Sequence, residues 1–253
     1  MTDHWLQSIS SSIAHEIADA EYARLLGLPR REPLAERWAE RAFLARQWYA
    51  RYGRPFSSAR QLEIAGLDAD GVTLQDGTVL RSAALGSRLR DGHSPRLAIV
   101  AVSAGPEVDA ETDRLWKDDR LDEAFFLDRL GAAVAEHLVR WTSIAICREA
   151  EAARLTALPP LSPGCADWDL ADQRTLLALF GDATGPLVML PSGMMTPKNS
   201  MLAAVGLTEE RYAMTADEAC RSCDLSPCAF RRAPFGLVRL QGGPSDIGAE
   251  VSR

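Results

Sequence analysis

The sequence lacks any uninterrupted apolar run of the roughly 18 residues that a membrane-spanning helix requires, which argues against such a span. Its opening, Met1-Thr2-Asp3-His4-Trp5, lacks the basic stretch followed by an apolar one that marks a secretory signal. A cytoplasmic location is the expectation, and with it a reducing environment for thiols. Basic residues are in the minority, 28 against 35 acidic, for a net charge of −7. Displacing counterions from a phosphate backbone takes an excess of lysine and arginine, so nucleic acid is not an expected partner. Histidine is sparse: His4, His15, His93 and His137 are scattered without the spacing of a metal-binding pair. Also missing are a GxGxxG turn, a P-loop and a GxSxG elbow, so nothing points to a kinase or a hydrolase. The acid pairs Asp118-Asp119 and Glu209-Glu210 read as solvated surface.

What is present is an ordinary globular composition, 47% apolar and 25% charged over 253 residues. Ile13, Ile17, Ala20 and Leu25 recur at helical spacing up to Gly27 and Pro29. A second helix is predicted from about Glu32 to Tyr52, with Leu34, Trp38, Ala42, Ala45 and Trp48 along its apolar side. Residues 59–105 change to strand-like runs: Leu62-Glu63-Ile64, Val72-Thr73-Leu74 and Val79-Leu80, the last two joined by an Asp76-Gly77 hairpin signal. Arg96 to Val102 is the strongest strand, apolar on both faces and therefore central. From Glu107 to about Leu155 the pattern is helical again, broken near Asp118-Asp119. Leu158 to Gly164, with Pro159, Pro160 and Pro163, cannot be helix. A helix from Asp169 to Phe180, a strand over Leu187–Leu190 and another from Ser200 to Val205 complete the pass. Helices before and after a set of short strands suggest an α+β fold with a mixed or antiparallel central sheet and flanking helices. One domain spanning 1–253 is expected, with a helical part at about 8–52, an α+β core at about 59–240 and a cysteine-rich segment at 216–232.

Chemistry is concentrated in the cysteines. Of the five, Cys220, Cys223 and Cys228 fall within one short segment, Cys-Arg-Ser-Cys-Asp-Leu-Ser-Pro-Cys. A two-residue gap lets the first two thiolates turn to one metal, and Pro227 bends the third round. In a reducing compartment such a cluster reads as metal ligands or redox thiols before disulfides. An all-thiolate site suits zinc or an iron–sulfur cluster, and both usually take four protein ligands. Cys165, in a rigid Pro-Gly loop, is the candidate fourth ligand. Cys147 lies mid-helix among apolar residues, where a thiol is usually a small hydrophobe. The spacing alone leaves zinc and iron–sulfur both open.

Two loops carry a family resemblance. Ser162-Pro163-Gly164-Cys165-Ala166-Asp167-Trp168, with Gln173 downstream, resembles the Ser-Pro-Gly-Tyr-x-Asp-Trp signature of the methionine synthase activation-domain family. Met194-Met195-Thr196-Pro197-Lys198-Asn199-Ser200 is similar to that family's Met-Met-x-Pro-x-Lys-Ser loop, with Lys198 one position early. Weaker similarities accompany them in Tyr22–Gly27 and in Leu127–Glu136.

The resemblance implies an α+β domain that docks on a cobalamin-binding partner, with Ser162, Pro163, Gly164, Asp167, Trp168, Met194, Met195, Lys198 and Ser200 as its cofactor-facing residues. It also implies adenosylmethionine as a ligand in that family. Here, however, Pro160 stands where the family has the arginine that engages the ligand's carboxylate, which counts against that ligand. Free-standing relatives resemble this chain in joining a loop cysteine to a CxxC and a third cysteine before an Arg-rich stretch, here Arg231-Arg232. The resulting expectation is an accessory protein of cobalamin reactivation. A [4Fe-4S] cluster on Cys165, Cys220, Cys223 and Cys228 would deliver low-potential electrons to the corrinoid of a methionine synthase or methyltransferase module, itself supplied by an electron donor protein. An adenosylmethionine-binding module, or a binding module with structural zinc, is the alternative.

Overall fold

The computed structural model describes residues 4–7, 9–28, 36–165 and 167–209. The segment 216–232 with Cys220, Cys223 and Cys228, and residues 32–35 at the expected start of the second helix, lie outside the described residues.

The chain opens with β1 (His4–Gln7), a 3-10 turn (Ser11–His15), α1 (Asp19–Leu25) and α2 (Glu36–Tyr52). The single helix expected from Ile13 to Leu25 is broken in two, because Ala18 is extended at ψ 143° and α1 begins only after it. Ile13, Ile17 and Leu25 are all buried, but from two short elements rather than one helical face. Next come β2 (Phe56–Leu67), β3 (Val72–Leu74), β4 (Val79–Leu80), α3 (Ala83–Asp91) and β5 (Arg96–Ser103). Then follow α4 (Pro106–Lys117), α5 (Leu121–Ala152), β6 (Thr156–Ala157) and α6 (Asp172–Ala178). The described part ends with β7 (Val188–Met189), β8 (Met195–Thr196) and β9 (Ser200–Thr208).

The sheet has seven strands in the order β4-β3-β2-β5-β9-β6, with β1 also on β2, and every pairing is antiparallel. The fold is therefore α+β, and the sheet is antiparallel rather than mixed. β5 is central, as its sequence predicts, pairing with β2 from Phe56↔Ser103 to Glu63↔Arg96 and with β9 from Arg96↔Leu207 to Ser103↔Ser200.

Side chains alternate across a strand, so β5 feeds two cores. Ala98, Val100 and Val102, with Ala203 and Val205, face α1, α2 and α5. Leu97, Ile99 and Ala101, with Leu202 and Ala204, face α3, α6, Trp168 and Phe180. α5 is 32 residues long, about 48 Å at 1.5 Å per residue, and buries Leu127, Leu130, Val134 and Leu138 against the first core. Arg24 and Glu136, both buried, form an ion pair that ties α1 to α5. Tyr22 donates to the Phe126 carbonyl at 2.6 Å, and Tyr49 to the Ala104 carbonyl at 2.7 Å. Burial pushes both phenols well above the ordinary tyrosine range.

Two features differ from the sequence reading. β2 begins at Phe56, well before Leu62, because its first turns inward are the buried Ser57 and Ser58 and not apolar residues; Ser57 shares a 2.6 Å hydrogen bond with Thr142 of α5. α3 stands where only strands are expected. Ser82 caps it, accepting from the Leu85 N–H at 3.0 Å, and Leu85 and Leu89 are buried. No described helix is long and apolar enough to cross a membrane.

Candidate functional site

The two loops singled out by resemblance are both attached to β9. The first runs along that strand's edge. Leu158 donates to the Gly206 carbonyl at 2.8 Å, and Leu161 exchanges two backbone hydrogen bonds with Ala204 at 2.9 and 2.7 Å. Proline at 159 and 160 suits an edge, where a missing N–H leaves no ladder bond unmade. Beyond Leu161 the chain closes on itself. The Cys165 N–H donates to Ser162 at 3.0 Å, the Gly164 N–H to Trp168 at 2.8 Å and the Trp168 N–H to Cys165 at 3.0 Å. Gly164 takes φ +87°, a backbone state that favours glycine over residues with a Cβ. Pro163 is buried, Ser162 and Cys165 are half-buried, and Asp167 is exposed.

Trp168 anchors this turn. It is 3% exposed, packs in the second core and pairs with Ser82 at the cap of α3. Its Nε1 donates to Asp172 Oδ2 at 2.9 Å, and the same oxygen accepts from the Arg81 N–H at 2.8 Å. The helix expected from Asp169 is thus shortened to begin at Asp172, whose carboxylate is held by the tryptophan and by the strand–helix connection before α3.

The second loop joins the β7–β8 hairpin to the start of β9. Met194 is 63% exposed at the hairpin tip, whereas Met195 packs against the second core. After a cis peptide at Thr196–Pro197, three residues fasten the loop to α4, α5 and β5. Lys198 donates its N–H to Asp109 Oδ2 at 2.7 Å and its Nζ to Asp113 Oδ1 at 3.1 Å. Asn199 is buried, with Nδ2 3.4 Å from Asp128 Oδ1 and its carbonyl accepting from the Ala104 N–H at 2.9 Å. Ser200 donates to Ser103 Oγ at 3.0 Å. Gly131 of α5 faces this loop, and a Cβ there would lie 2.6 Å from Asn199 Nδ2. Burial raises the Asp109 carboxyl, a tendency opposed by the Lys198 N–H and reinforced by Asp113 and Asp128 nearby. The hydrogen bond to Asp113 raises the Lys198 ammonium.

Asp109, Asp113, Asp128 and Asp172 are site residues that the motif reading did not single out. Asp128 lies within the Leu127–Glu136 stretch already noted for similarity, and Asp172 is spaced one helical turn after Trp168. Asp109 and Asp113 carry no sequence signal, since their contact with Lys198 spans 89 and 85 residues.

Cys147 is half-buried, and burial pushes its thiol up. Among the described residues no group of three or more histidine, cysteine or acidic side chains is arranged to hold a metal ion. Of the four expected ligands only Cys165 is described.

Comparison of the chain with protein-family models gives no match, and comparison with curated proteins gives none either. Among solved structures, this α+β architecture is shared with a reactivation domain. The structure is the crystal structure of the MetH reactivation domain bound to AdoHcy, similar with a TM-score of 0.64 at 14% identity, over 84% of this chain and 80% of that one. At that identity the likeness establishes the fold.

Proposed function

We propose that this chain is a reactivation module for a separate cobalamin-binding protein, with the loops at 162–168 and 194–200 facing the partner's corrinoid. The support is the fold shared with the MetH reactivation domain together with the attachment of both loops to one strand, β9. Each loop is held by contacts to the body of the protein: Trp168 and Asp172 for the first, Asn199 and Ser200 for the second. Each leaves a side chain outward, Asp167 in one and Met194 in the other. A rigid base with exposed tips suits presentation of a surface to a partner.

In this reading Cys165, Cys220, Cys223 and Cys228 hold a [4Fe-4S] cluster. Cys165 fits the part of one ligand, because its N–H and carbonyl are both hydrogen-bonded within the turn and its side chain is only half-buried. Such a cluster, when bound, supplies single electrons at the low potentials that corrinoid reduction requires. The chain's own part is to fix the direction of the Cys165 thiolate and to hold the docking loops. Zinc on the same thiolates would give a binding module without redox chemistry.

A second reading is favoured by the AdoHcy bound to the similar domain: adenosylmethionine along the edge at Pro160. A guanidinium does stand near that edge, since Arg88 of α3 donates to the Pro159 carbonyl at 3.0 Å.

Purification without oxygen, followed by iron and zinc analysis and EPR, tests the first reading. About four irons per chain, lost in Cys165→Ser, are expected for a cubane cluster. A colourless protein with stoichiometric zinc overturns the electron-transfer role, and failure to bind a cobalamin-binding module overturns reactivation itself. Calorimetry with adenosylmethionine, on the wild type and on Arg88→Ala, decides the second reading.

A further inference from the structure

Two surface cavities of similar size differ in how their arginines are paired. One, of about 440 Å³, lies between α2 and the α4–α5 pair. There Arg41 and Arg120 both engage Glu123, and Glu111 lies in the same lining. Arg51 is the third arginine of that lining, so the difference between the two cavities lies in the pairing of their arginines with acids and not in the charge count.

The other cavity, of about 470 Å³, is lined by Arg60, Asp76, Thr78, Arg174, Thr175 and Leu179. Arg60 comes from β2 and Arg174 from α6, which brings two guanidinium groups from distant parts of the chain to one opening. Each is fixed in place by a neutral carbonyl: Arg60 Nη1 donates to Leu179, and Arg174 Nη2 donates to Leu190 at 3.1 Å. Neither has a carboxylate within ion-pair distance among the described residues. The Nε of Arg60 is buried without a hydrogen-bond partner there. Asp76 is the acid in the lining, and its Oδ1 already accepts from the Thr78 N–H at 2.9 Å. Two cations against one carboxylate leave an excess of positive charge in a chain whose net charge is −7. Other arginines of the protein do pair with acids, as in Arg24–Glu136, Arg96–Glu63 and Arg114–Glu111.

We infer that this cavity binds a small organic oxyanion, a carboxylate or a phosphate monoester. A planar guanidinium already anchored at one nitrogen keeps its other N–H groups in a fixed fork, the geometry that oxyanions match. The hydroxyls of Thr78 and Thr175 can add donors, and Ala178 and Leu179 give an apolar wall for the organic part. The size is within the range of small-molecule sites and exceeds what an inorganic ion alone would fill. No residue of the loops at 162–168 and 194–200 lines this site, so its failure would leave the reactivation reading standing.

Calorimetric titration of the full-length protein with inorganic phosphate, glycerol phosphate and succinate tests it. Saturable binding is expected for at least one organic probe, tighter than for inorganic phosphate; which of the two organic probes binds separates phosphate from carboxylate recognition. Arg174→Gln, on the surface of α6, is expected to weaken binding by about tenfold or more, the scale of one charged hydrogen bond. Arg41→Gln, in the first cavity and already ion-paired with Glu123, is expected to leave it unchanged. Arg60→Lys is a second probe, because it keeps the charge and removes the fork. No saturable heat with any probe at millimolar concentration overturns the inference, as does binding that Arg174→Gln does not alter.

Discussion

The indole Nε1 of Trp168 and the carboxylate of Asp172 meet at 2.9 Å, one helical turn apart, and this contact joins the Ser-Pro-Gly turn to α6. Because Asp172 Oδ2 also accepts the Arg81 N–H, one oxygen connects the turn, the helix and the entry to α3. Trp168 is buried, so its N–H has no replacement partner in water.

Asp172→Ala is therefore expected to destabilise the fold by about 1–3 kcal/mol, the cost of a buried donor left unmade. Asp172→Asn, which keeps an acceptor oxygen, is expected to lose less. Urea unfolding of the two variants measures the difference; equal stability of Asp172→Ala and wild type would show that the contact contributes nothing.

Gly131→Ala sets two effects against each other. Alanine is better than glycine inside a helix by about 1 kcal/mol. Its Cβ, however, would lie 2.6 Å from Asn199 Nδ2 and 3.0 Å from Val108 Cγ1, in a buried site where overpacking costs about 1–3 kcal/mol. Net destabilisation is expected, with the loop at Lys198–Ser200 displaced. Denaturation midpoints give the sign, and amide exchange at Asn199 and Ser200 reports the displacement.

The parts of this fold that the sequence reveals are those where one strand or turn carries its own signal. β5 reads as central because both its faces are apolar, and each face does meet a core. Asp76-Gly77 reads as a hairpin because Gly77 must adopt φ +84°. The first residues of β2 and the whole of α3 are not legible in the sequence, for the opposite reason. Ser57 and Ser58 are buried because β2 is flanked there by β1 and β5 rather than by hydrophobicity, and α3 shows few apolar positions over its short length. At the candidate site the loops themselves were visible as motifs. Their supports were not, because Asp109, Asp113 and Asp128 reach Lys198 and Asn199 only through the tertiary fold.

Arg24→Met tests the buried link between α1 and α5. Removing one member of a buried ion pair leaves the other charge in a poorly solvated place, and the expected loss is about 3–5 kcal/mol. The double variant Arg24→Met with Glu136→Leu removes both charges and is expected to recover much of that loss. Recovery by the double variant identifies charge burial as the cause; failure to recover would assign the cost to lost packing instead.

Asp109 predicts a pH dependence whose sign follows from its burial. Its folded-state pKa is raised above the ordinary value of 3.8, chiefly by desolvation, so the folded protein holds this proton to a higher pH than the unfolded chain does. Below that ordinary value the contribution to stability is fully present, and it is lost as pH rises through the raised folded value. Within that window the slope is at most about 1.4 kcal/mol per pH unit for one proton. Asp76 and Glu111 act in the opposite direction, since their lowered values cost stability as pH falls, so the wild-type curve alone does not isolate Asp109. The difference between wild type and Asp109→Asn does. Asparagine keeps an oxygen for the Lys198 N–H but cannot ionise, so the variant is expected to gain on the wild type as pH rises from about 4 and then to run parallel to it. Urea midpoints taken at intervals from about pH 3.5 to 7 would give this curve, and a difference that is flat throughout would show that burial of Asp109 does not govern its titration.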